Sequence, residues 1–340
     1  MRIHVMELLE GDRLRTDVFN RAGLHVLPKG TSIRTEEIAL LIRQSIDYVD
    51  IELRDNEASE SERIRDNFDF TLKGFQSIFL EALTTGKFNQ SLVDQHLEPM
   101  LEVLDRNKDV VSLLIAFAED DVNVYNHSLQ VGLLSYYIAT WLGYSAEECH
   151  EISKAGYLHD IGKSRIRQSL RNREHELEGE ELEELQRHTS YGYEIILNST
   201  GEEKTALVAL QHHEREDGSG YPQGLGKAEI HPYAEIVAVA DVFVGMTEPN
   251  GSHSRQDLLT VLRKTYELGF GKLNEKAVQA LTRHLLPNFI GKKARLSNGE
   301  TVTIVWNNPA DIFKPLVRID EERFRDLSKE RKIELEQVFI

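Results

Sequence analysis

The sequence predicts a mainly α-helical protein with a small α/β unit at its N-terminus and a short β hairpin region at its C-terminus. Apolar residues recur at three- and four-residue spacing from Phe68 to Phe117 and through residues 121–287, which is typical of helices packed on one face. Short apolar runs flank turn residues near both ends of the chain, which is typical of hairpins. The length of 340 residues is enough for about two domains.

Residues 1–53 are predicted to form the α/β unit. Its strands are expected at Val18-Phe19 and residues 24–27, around the turn at residues 20–23, and its helix from about Thr35. Residues 54–120 are expected to begin as a charged linker or helix entry and to continue as a helical region.

Residues 121–287 are predicted to be mostly helical and to hold the chemistry. A capping box at residues 145–148 opens one helix, and Pro232 occupies the first turn of another. The seven glutamates within residues 174–184 indicate a solvated helix and loop. Residues 288–340 are predicted to contain a hairpin turning at Asn298-Gly299, a third strand near residues 315–319 and a charged helix from Glu321.

The composition excludes several classes of protein. Forty Lys and Arg residues against 57 Asp and Glu residues give a net charge of −17, which argues against a nonspecific nucleic-acid binder. The single cysteine, Cys149, excludes an intramolecular disulfide. Because the sequence contains neither a signal peptide nor an apolar run of about 18 residues, we expect a cytoplasmic protein with no membrane partner.

Two histidine motifs follow apolar helices. His159 and Asp160 end a helix with an apolar face, and a buried charged pair is costly unless a divalent metal compensates it. In isolation, the pair would indicate only a capped helix end. His212-His213-Glu214 ends a second helix, and we expect adjacent histidines to point in different directions, so that one metal could not readily bind both.

Two further residues interrupt apolar segments. Asp241 lies within the nearly continuous apolar run of residues 236–244, where an unpaired acid is rare. His127 lies on an apolar helix, and its position alone favours a hydrogen-bonded core imidazole.

The combination of these residues favours a metal site. Imidazole and carboxylate ligands suit Fe, Mn or Zn. Two metals about 3.5–4 Å apart can share a bridging carboxylate and a bridging hydroxide for phosphoester cleavage. Asp160 is the natural bridge, and Lys163 can place a cation on a phosphate oxygen.

These residues closely resemble the HD-GYP family, the HD-domain phosphohydrolases that degrade cyclic di-GMP. The resemblance depends on His159-Asp160-Ile161-Gly162-Lys163 and on the run from His212-His213-Glu214 through Asp217 to Gly220-Tyr221-Pro222. It covers residues 121–287, a span of 167 residues.

The resemblance implies an HD-type helical bundle that hydrolyses cyclic di-GMP to pGpG, with or without further cleavage to GMP, and gives Asp160 and Lys163 catalytic roles. His188 enters through the resemblance alone, since the residues around it indicate only a surface or helix-cap position. The implied metal ligands are His127, His159, Asp160, His188, His212, His213 and Asp241. The expected substrate-binding residues are Lys163, Arg215, Gly220, Tyr221, Pro222 and Arg255.

The resemblance also implies cofactors and partners. Two divalent ions are expected, Fe or Mn in the first place, with Zn, Ni or Co as alternatives. The expected partners are cyclic di-GMP or a related nucleotide, diguanylate cyclase (GGDEF) proteins that contact the loop of residues 220–222, and a second copy of the chain in a homodimer.

The sequence departs from the family pattern at three places. Asn123 replaces a glutamate that trinuclear members carry, which predicts a binuclear site. Val244 replaces an aspartate that usually follows the last ligand. The segment of residues 248–255 lacks the phosphate-gripping Arg-Pro-Tyr-Arg/Lys stretch, and the loss of one such contact would cost about 1.5–3 kcal/mol, unless Arg255 restores the cation.

Three functional hypotheses follow. The first is a metal-dependent cyclic di-GMP phosphodiesterase, which we favour because all seven ligand positions are filled. The second is a catalytically weak or inactive module that binds a cyclic dinucleotide or partner proteins as a sensor, and it is motivated by Val244 and the missing arginine stretch. The third is a phosphodiesterase for another cyclic or linear nucleotide.

Overall fold

A computed structural model describes most of the chain, which divides into two compact units at residues 1–67 and 68–340. The described residues are 2–5, 8–20, 24–44, 46–52, 55–106, 110, 113, 123–171, 177–248, 256–320 and 322–339, with residues 55–63 described as helical backbone alone.

The N-terminal unit contains two small antiparallel sheets and one helix. Strand β1 (Arg2–His4) pairs with β4 (Tyr48–Asp50), and β2 (Val18–Phe19) pairs with β3 (His25–Leu27). Helix α1 (Thr35–Arg43) packs its apolar face into a core that includes the fully buried Leu14, Ile33, Leu41 and Ile51. The predicted hairpin strands and helix are confirmed, although turn residues 21–23 lie outside the described residues.

Helices make up most of the remaining chain. The predicted charged linker is the first part of helix α2, and much of the helical region predicted between residues 107 and 117 lies outside the described residues. The helices are α2 (Asp55–Thr85), α3 (Gln90–Arg106), α4 (Val124–Leu142), α5 (Ala146–Leu158), α6 (Gly179–Gln186), α7 (His188–Thr200), α8 (Glu203–Gln211), α9 (Pro232–Thr247), α10 (Leu258–Leu268) and α11 (Glu275–Leu285). Within the described residues, none of the helices is both long and apolar enough for a membrane span.

Helices α4 and α9 form the centre of the bundle and are buried on nearly every face. Helix α4 approaches α5 closely at two glycines: a Cβ atom on Gly132 would lie 2.9 Å from the Ser153 carbonyl oxygen, and one on Gly156 would lie 3.0 Å from Gly132 Cα. Because neither residue has a side chain, the two helix backbones pack together directly. This packing brings the start of α4 next to the end of α5.

The helix boundaries agree with the local sequence signals. The Ser145 hydroxyl accepts a hydrogen bond from the Glu148 amide, and the Glu148 side chain accepts one from the Ser145 amide, so the predicted capping box is present at α5. Pro232 is the first residue of α9, as predicted.

The C-terminal residues form a five-stranded antiparallel sheet in the order β8-β7-β6-β5-β9. The predicted hairpin and third strand are confirmed as β5 (Lys293–Leu296), β6 (Thr301–Trp306) and β7 (Leu316–Arg318). The helix predicted from Glu321 is wrong, since the chain forms β8 (Phe324–Asp326) and β9 (Leu335–Phe339). Leu335 and Val338 are buried, so the apolar residues of this segment lie on the buried face of a sheet. Its charged residues flank the strands.

A carboxylate at the start of α9 makes the stability of the fold depend on pH. Burial raises the pKa of Glu235 to about 7, and the nearby Glu216 charge adds to the effect, although Asn274 donates a hydrogen bond to Glu235. The unfolded chain therefore releases this proton at lower pH than the folded chain does. The folded state therefore loses stability relative to the unfolded chain as pH rises from the pKa of Glu235 in the unfolded chain towards 7.

We predict that Glu235→Gln increases the free energy of unfolding at pH 8 by about 1 kcal/mol, after allowance for solvent screening of this half-buried group. The gain should shrink towards pH 5, where the folded wild type carries the proton. Denaturant unfolding at the two pH values measures it, with Glu203→Gln in the first turn of α8 as control. Equal gains at both pH values would contradict the prediction.

Candidate metal centre

The end of α5 places His159 and Asp160 in the dry interior. Their relative exposures are 0% and 1%, and Asp160 leads into a short 3₁₀ helix, Ile161–Arg165. His159 Nδ1 lies 2.6 Å from the Gly156 carbonyl oxygen, so Nδ1 carries the proton. His159 Nε2 and Asp160 Oδ1 are buried without a hydrogen-bond partner. Orphaned polar atoms in a core are costly and point to an additional group that binds them.

His188 and His212 repeat this arrangement. Nδ1 of His188 donates to the Leu185 carbonyl oxygen at 2.7 Å, and Nδ1 of His212 donates to the Ala209 carbonyl oxygen at 3.0 Å. Their Nε2 atoms are 3.4 Å apart, and Asp160 Oδ1 is 3.3 Å from His188 Nε2. With the protons on Nδ1, these atoms present lone pairs to one another, and a cation between them would turn repulsion into ligation.

His127 and Asp241 complete the cluster from α4 and α9. His127 Nε2 is 3.0 Å from Asp241 Oδ1, which in turn is 3.8 Å from His159 Nε2. The other ring nitrogen of His127, Nδ1, is 3.1 Å from Glu248 Oε1. Sequence reasoning missed Glu248. Its local signal was an acidic residue directly after the helix that carries Asp241.

The structure brings together all seven predicted ligand residues. Two triads share no residue, and in each the ligand atoms lie within 4.8 Å of one another: the first contains His188, His212 and His213, and the second contains His127, His159 and Asp241. Asp160 lies between them, with Oδ1 near His188 and Oδ2 3.4 Å from His159 Nε2.

The expectation that His212 and His213 point in different directions is wrong, because one ligand nitrogen of each lies within 4.8 Å of the other and of a His188 nitrogen. Helix α8 ends at Gln211, so the two histidines follow its last turn and their ring centroids are only 4.1 Å apart. The local signals around His188 were also misleading, since this residue is fully buried at the first position of α7.

The pKa values of the cluster residues favour the binding of cations. Burial alone would raise the pKa of Asp160, but Lys163 and the surrounding histidines hold it well below the ordinary value. Burial and the neighbouring imidazoles hold the pKa values of His212 and His213 well below the usual range. Neutral imidazoles and ionised carboxylates are the forms that bind metals. The donor set therefore fits divalent ions.

His127 differs from the other histidines. Burial lowers its pKa, but the carboxylates of Glu248 and Asp241 outweigh burial and raise the pKa to about 10. An ion that binds this imidazole at neutral pH therefore displaces a proton.

The predicted substrate-binding residues have different surroundings. Lys163 Nζ donates to Asp160 Oδ2 at 2.6 Å, at the edge of the cluster. Arg215 donates to the backbone carbonyl oxygens of His212 and Glu214 at 3.0 and 2.8 Å, so its guanidinium braces the end of α8. Arg255 lies outside the described residues.

The loop of residues 220–222 packs against the cluster. The ring of Tyr221 stacks on His213 at a centroid distance of 4.5 Å, and Pro222 is exposed. Gly220 lies so close to the chain that a Cβ atom would be 2.4 Å from Glu214 Cα. The loop thus covers one wall of the first triad.

Glu214 holds this loop in place. Its carboxylate is 2% exposed and accepts hydrogen bonds from the Gln223 amide at 2.7 Å and the Leu225 amide at 2.9 Å. The family motif includes Glu214, but the sequence alone did not indicate this role.

Two of the departures from the family pattern have structural explanations. The Asn123 side chain accepts hydrogen bonds from the Tyr125 and Asn126 amides and so caps α4. Val244 is buried in the apolar core of α9.

We predict that Glu214→Ala releases the loop. The loss of two hydrogen bonds to a buried carboxylate, each contributing about 1.5–3 kcal/mol, should accelerate hydrogen exchange of the Gln223 and Leu225 amides by at least about tenfold. Glu214→Gln keeps one acceptor oxygen and should have a smaller effect. Glu181→Ala, on an exposed helix face, is the control, and unchanged exchange in Glu214→Ala would contradict the assigned contact.

Known proteins resemble this chain over the helical region that holds the cluster. Residues 109–264 match the family described as HD domain. The cyclic di-GMP phosphodiesterase response regulator RpfG of Xanthomonas campestris is 38% identical over 45% of this chain and 41% of its own length. A cyclic di-GMP phosphodiesterase of Thermotoga maritima is 35% identical over 52% and 48%. The 3'3'-cGAMP-specific phosphodiesterase 1 of Vibrio cholerae is 31% identical over 47% and 37%.

The matches thus span less than half the length of each of these relatives. Among solved structures, Bd1817, described as a HDG"Y"P protein from Bdellovibrio bacteriovorus, superimposes with a TM-score of 0.51 at 17% identity, over 83% of this chain and 97% of that one. This likeness confirms the predicted HD-type helical fold. Residues 109–264 are therefore similar to HD domains, in agreement with the resemblance of the sequence to the HD-GYP family.

Proposed function

We propose that the chain is a metal-dependent phosphodiesterase that hydrolyses cyclic di-GMP to linear pGpG, with or without further cleavage to GMP. The observation that carries the proposal is the convergence of five imidazoles and two carboxylates, which form two triads with Asp160 between them. Two divalent ions are proposed, Fe or Mn first and Zn, Ni or Co as alternatives. When bound, such ions supply charge that activates water and neutralises phosphoryl oxygens.

The protein side chains have separate proposed roles. His188, His212 and His213 would hold one ion, and His127, His159 and Asp241 the other, and the Asp160 carboxylate would contribute to holding both. Lys163 lies 2.6 Å from Asp160 and would donate to a phosphate oxygen next to the bridge. Tyr221 and Pro222 would shape one wall of the substrate site, with Gly220 permitting the close turn.

A related cyclic dinucleotide is the second candidate substrate. The similarity to a protein named as 3'3'-cGAMP-specific supports it, as does the absence of the arginine stretch from residues 248–255 of the sequence. The guanine bases of both compounds offer the same hydrogen-bonding groups, so discrimination would depend on the second base.

Partners and location remain proposals. The exposure of Pro222 supports the hypothesis that the loop of residues 220–222 contacts diguanylate cyclase (GGDEF) proteins. A homodimer and a cytoplasmic location are further proposals from the sequence.

We predict that the wild type loaded with Mn(II), or with Fe(II) under reducing conditions, cleaves cyclic di-GMP, and that Asp160→Ala lowers the rate more than about 100-fold. Loss of a hydrogen bond to a metal ligand typically lowers metal affinity or activity about 10–100-fold. Loss of Asp160, which is itself a proposed ligand, should lower activity further. Chromatography of pGpG and GMP measures the rate. Lys204→Ala, which removes a surface ion pair with Glu151, is the control and should keep full activity.

Lys163→Ala should weaken substrate binding about 10–100-fold, because it removes one charge-assisted phosphate contact. A panel that includes 3'3'-cGAMP identifies the substrate. Absence of cleavage by the metal-loaded wild type, or an unchanged rate in Asp160→Ala, would refute the proposal. Tight binding of intact cyclic di-GMP without cleavage would instead favour the sensor.

A further inference from the structure

We infer that Glu248 is a positioning residue of the metal centre, whose carboxylate fixes the ring of His127 so that Nε2 faces Asp241. The inference rests on the proposed metal site and is independent of the substrate. His127 has carboxylate oxygens at both ring nitrogens, Glu248 Oε1 at 3.1 Å from Nδ1 and Asp241 Oδ1 at 3.0 Å from Nε2. The side chains of His127 and Glu248 are only 11% and 20% exposed.

The other buried histidines show why this contact matters. His159, His188 and His212 each turn Nδ1 towards a carbonyl oxygen of their own or the preceding helix turn, at Gly156, Leu185 and Ala209. The backbone thus fixes their tautomer. For His127 the equivalent contact comes from a side chain 121 residues away in the sequence. Its orientation therefore depends on a group that a single substitution can remove.

A carboxylate in this position has a defined chemical effect. By accepting the Nδ1 proton it leaves the Nε2 lone pair available to a metal, and it increases the basicity of that nitrogen. An imidazole without the contact can rotate or take the other tautomer, which places a proton where the ion should bind.

The end of α9 allows Glu248 to reach His127. The helix ends at Thr247, and Glu248 has an extended backbone, with φ −74° and ψ 143°. Asp241 and Glu248 are the only charged residues in the sequence from position 241 to position 248. One helix and its cap therefore supply both carboxylates that contact His127.

The test is a Mn(II) titration of the full chain by calorimetry, in the absence of nucleotide, for the wild type, Glu248→Ala and Glu248→Gln. We expect Glu248→Ala to weaken binding of one of the two ions about 10–100-fold and to leave the other unchanged. Glu248→Gln keeps an oxygen acceptor for Nδ1 and should recover part of the lost affinity, which a purely structural role would not produce.

Asp105→Asn is the matched control, because Asp105 contacts His150 at 3.3 Å on a more exposed surface. It should bind both ions as the wild type does. Wild-type affinity for both ions in Glu248→Ala would overturn the inference, as would an equal loss at both ions with a lower melting temperature of the metal-free protein. A protein that binds two ions but cleaves no cyclic dinucleotide would refute the proposed function and leave this inference supported.

Discussion

The Nε2 atoms of His188 and His212 and the Oδ1 atom of Asp160 face one another in the dry core of the helical domain, and the chemistry of the cluster depends on this contact. Nδ1 of His159, His188 and His212 is committed to backbone carbonyl oxygens, so the Nε2 atoms have no proton to share. Atoms 3.3–3.4 Å apart, such as Asp160 Oδ1 and His188 Nε2, would repel in a low-dielectric interior. Divalent cations would convert this cost into binding energy, which would couple metal binding to folding.

The helix ends explain how the sequence builds this cluster. His127 lies near the start of α4, His159 follows α5, His188 begins α7 and His212 follows α8. A side chain at a helix end can point into the core without interrupting the hydrogen bonds of the helix. The carbonyl groups of the last helical turn have no partner within the helix, so they can orient imidazoles. The glycine contact between α4 and α5 and the bracing of the loop by Glu214 keep these ends close together.

The net charge of −17 does not prevent the binding of a phosphodiester at the candidate metal centre. Part of the excess acid lies on the largely exposed segment of residues 178–184, whereas Asp160 and Asp241 belong to the cluster. Two divalent ions would add a charge of +4, enough to reverse the local sign. Lys163 is already paired with Asp160, and Arg215 donates to backbone carbonyl oxygens, so the cations would dominate the field at a bound phosphate.

Sequence patterns predicted the fold and most of the cluster because those features are local. His159 follows an apolar helix and stands beside an aspartate, and Asp241 interrupts an apolar run. Both patterns can be recognised in the sequence without knowledge of tertiary contacts. His188 required the family resemblance, because only the packing of α7 buries it. Glu248 was missed because its partner is 121 residues away. The last two strands were mistaken for a helix because they are short and the charged residues on either side of them obscured the spacing of their apolar residues.

The most direct test of the account is anomalous diffraction from crystals of the full chain grown with Mn(II). Two strong peaks are expected, one among His188, His212 and His213 and one among His127, His159 and Asp241, with Asp160 between them. Peaks elsewhere, or an ordered cluster without any peak at saturating Mn(II), would contradict the claim that these seven side chains are arranged to bind metal ions.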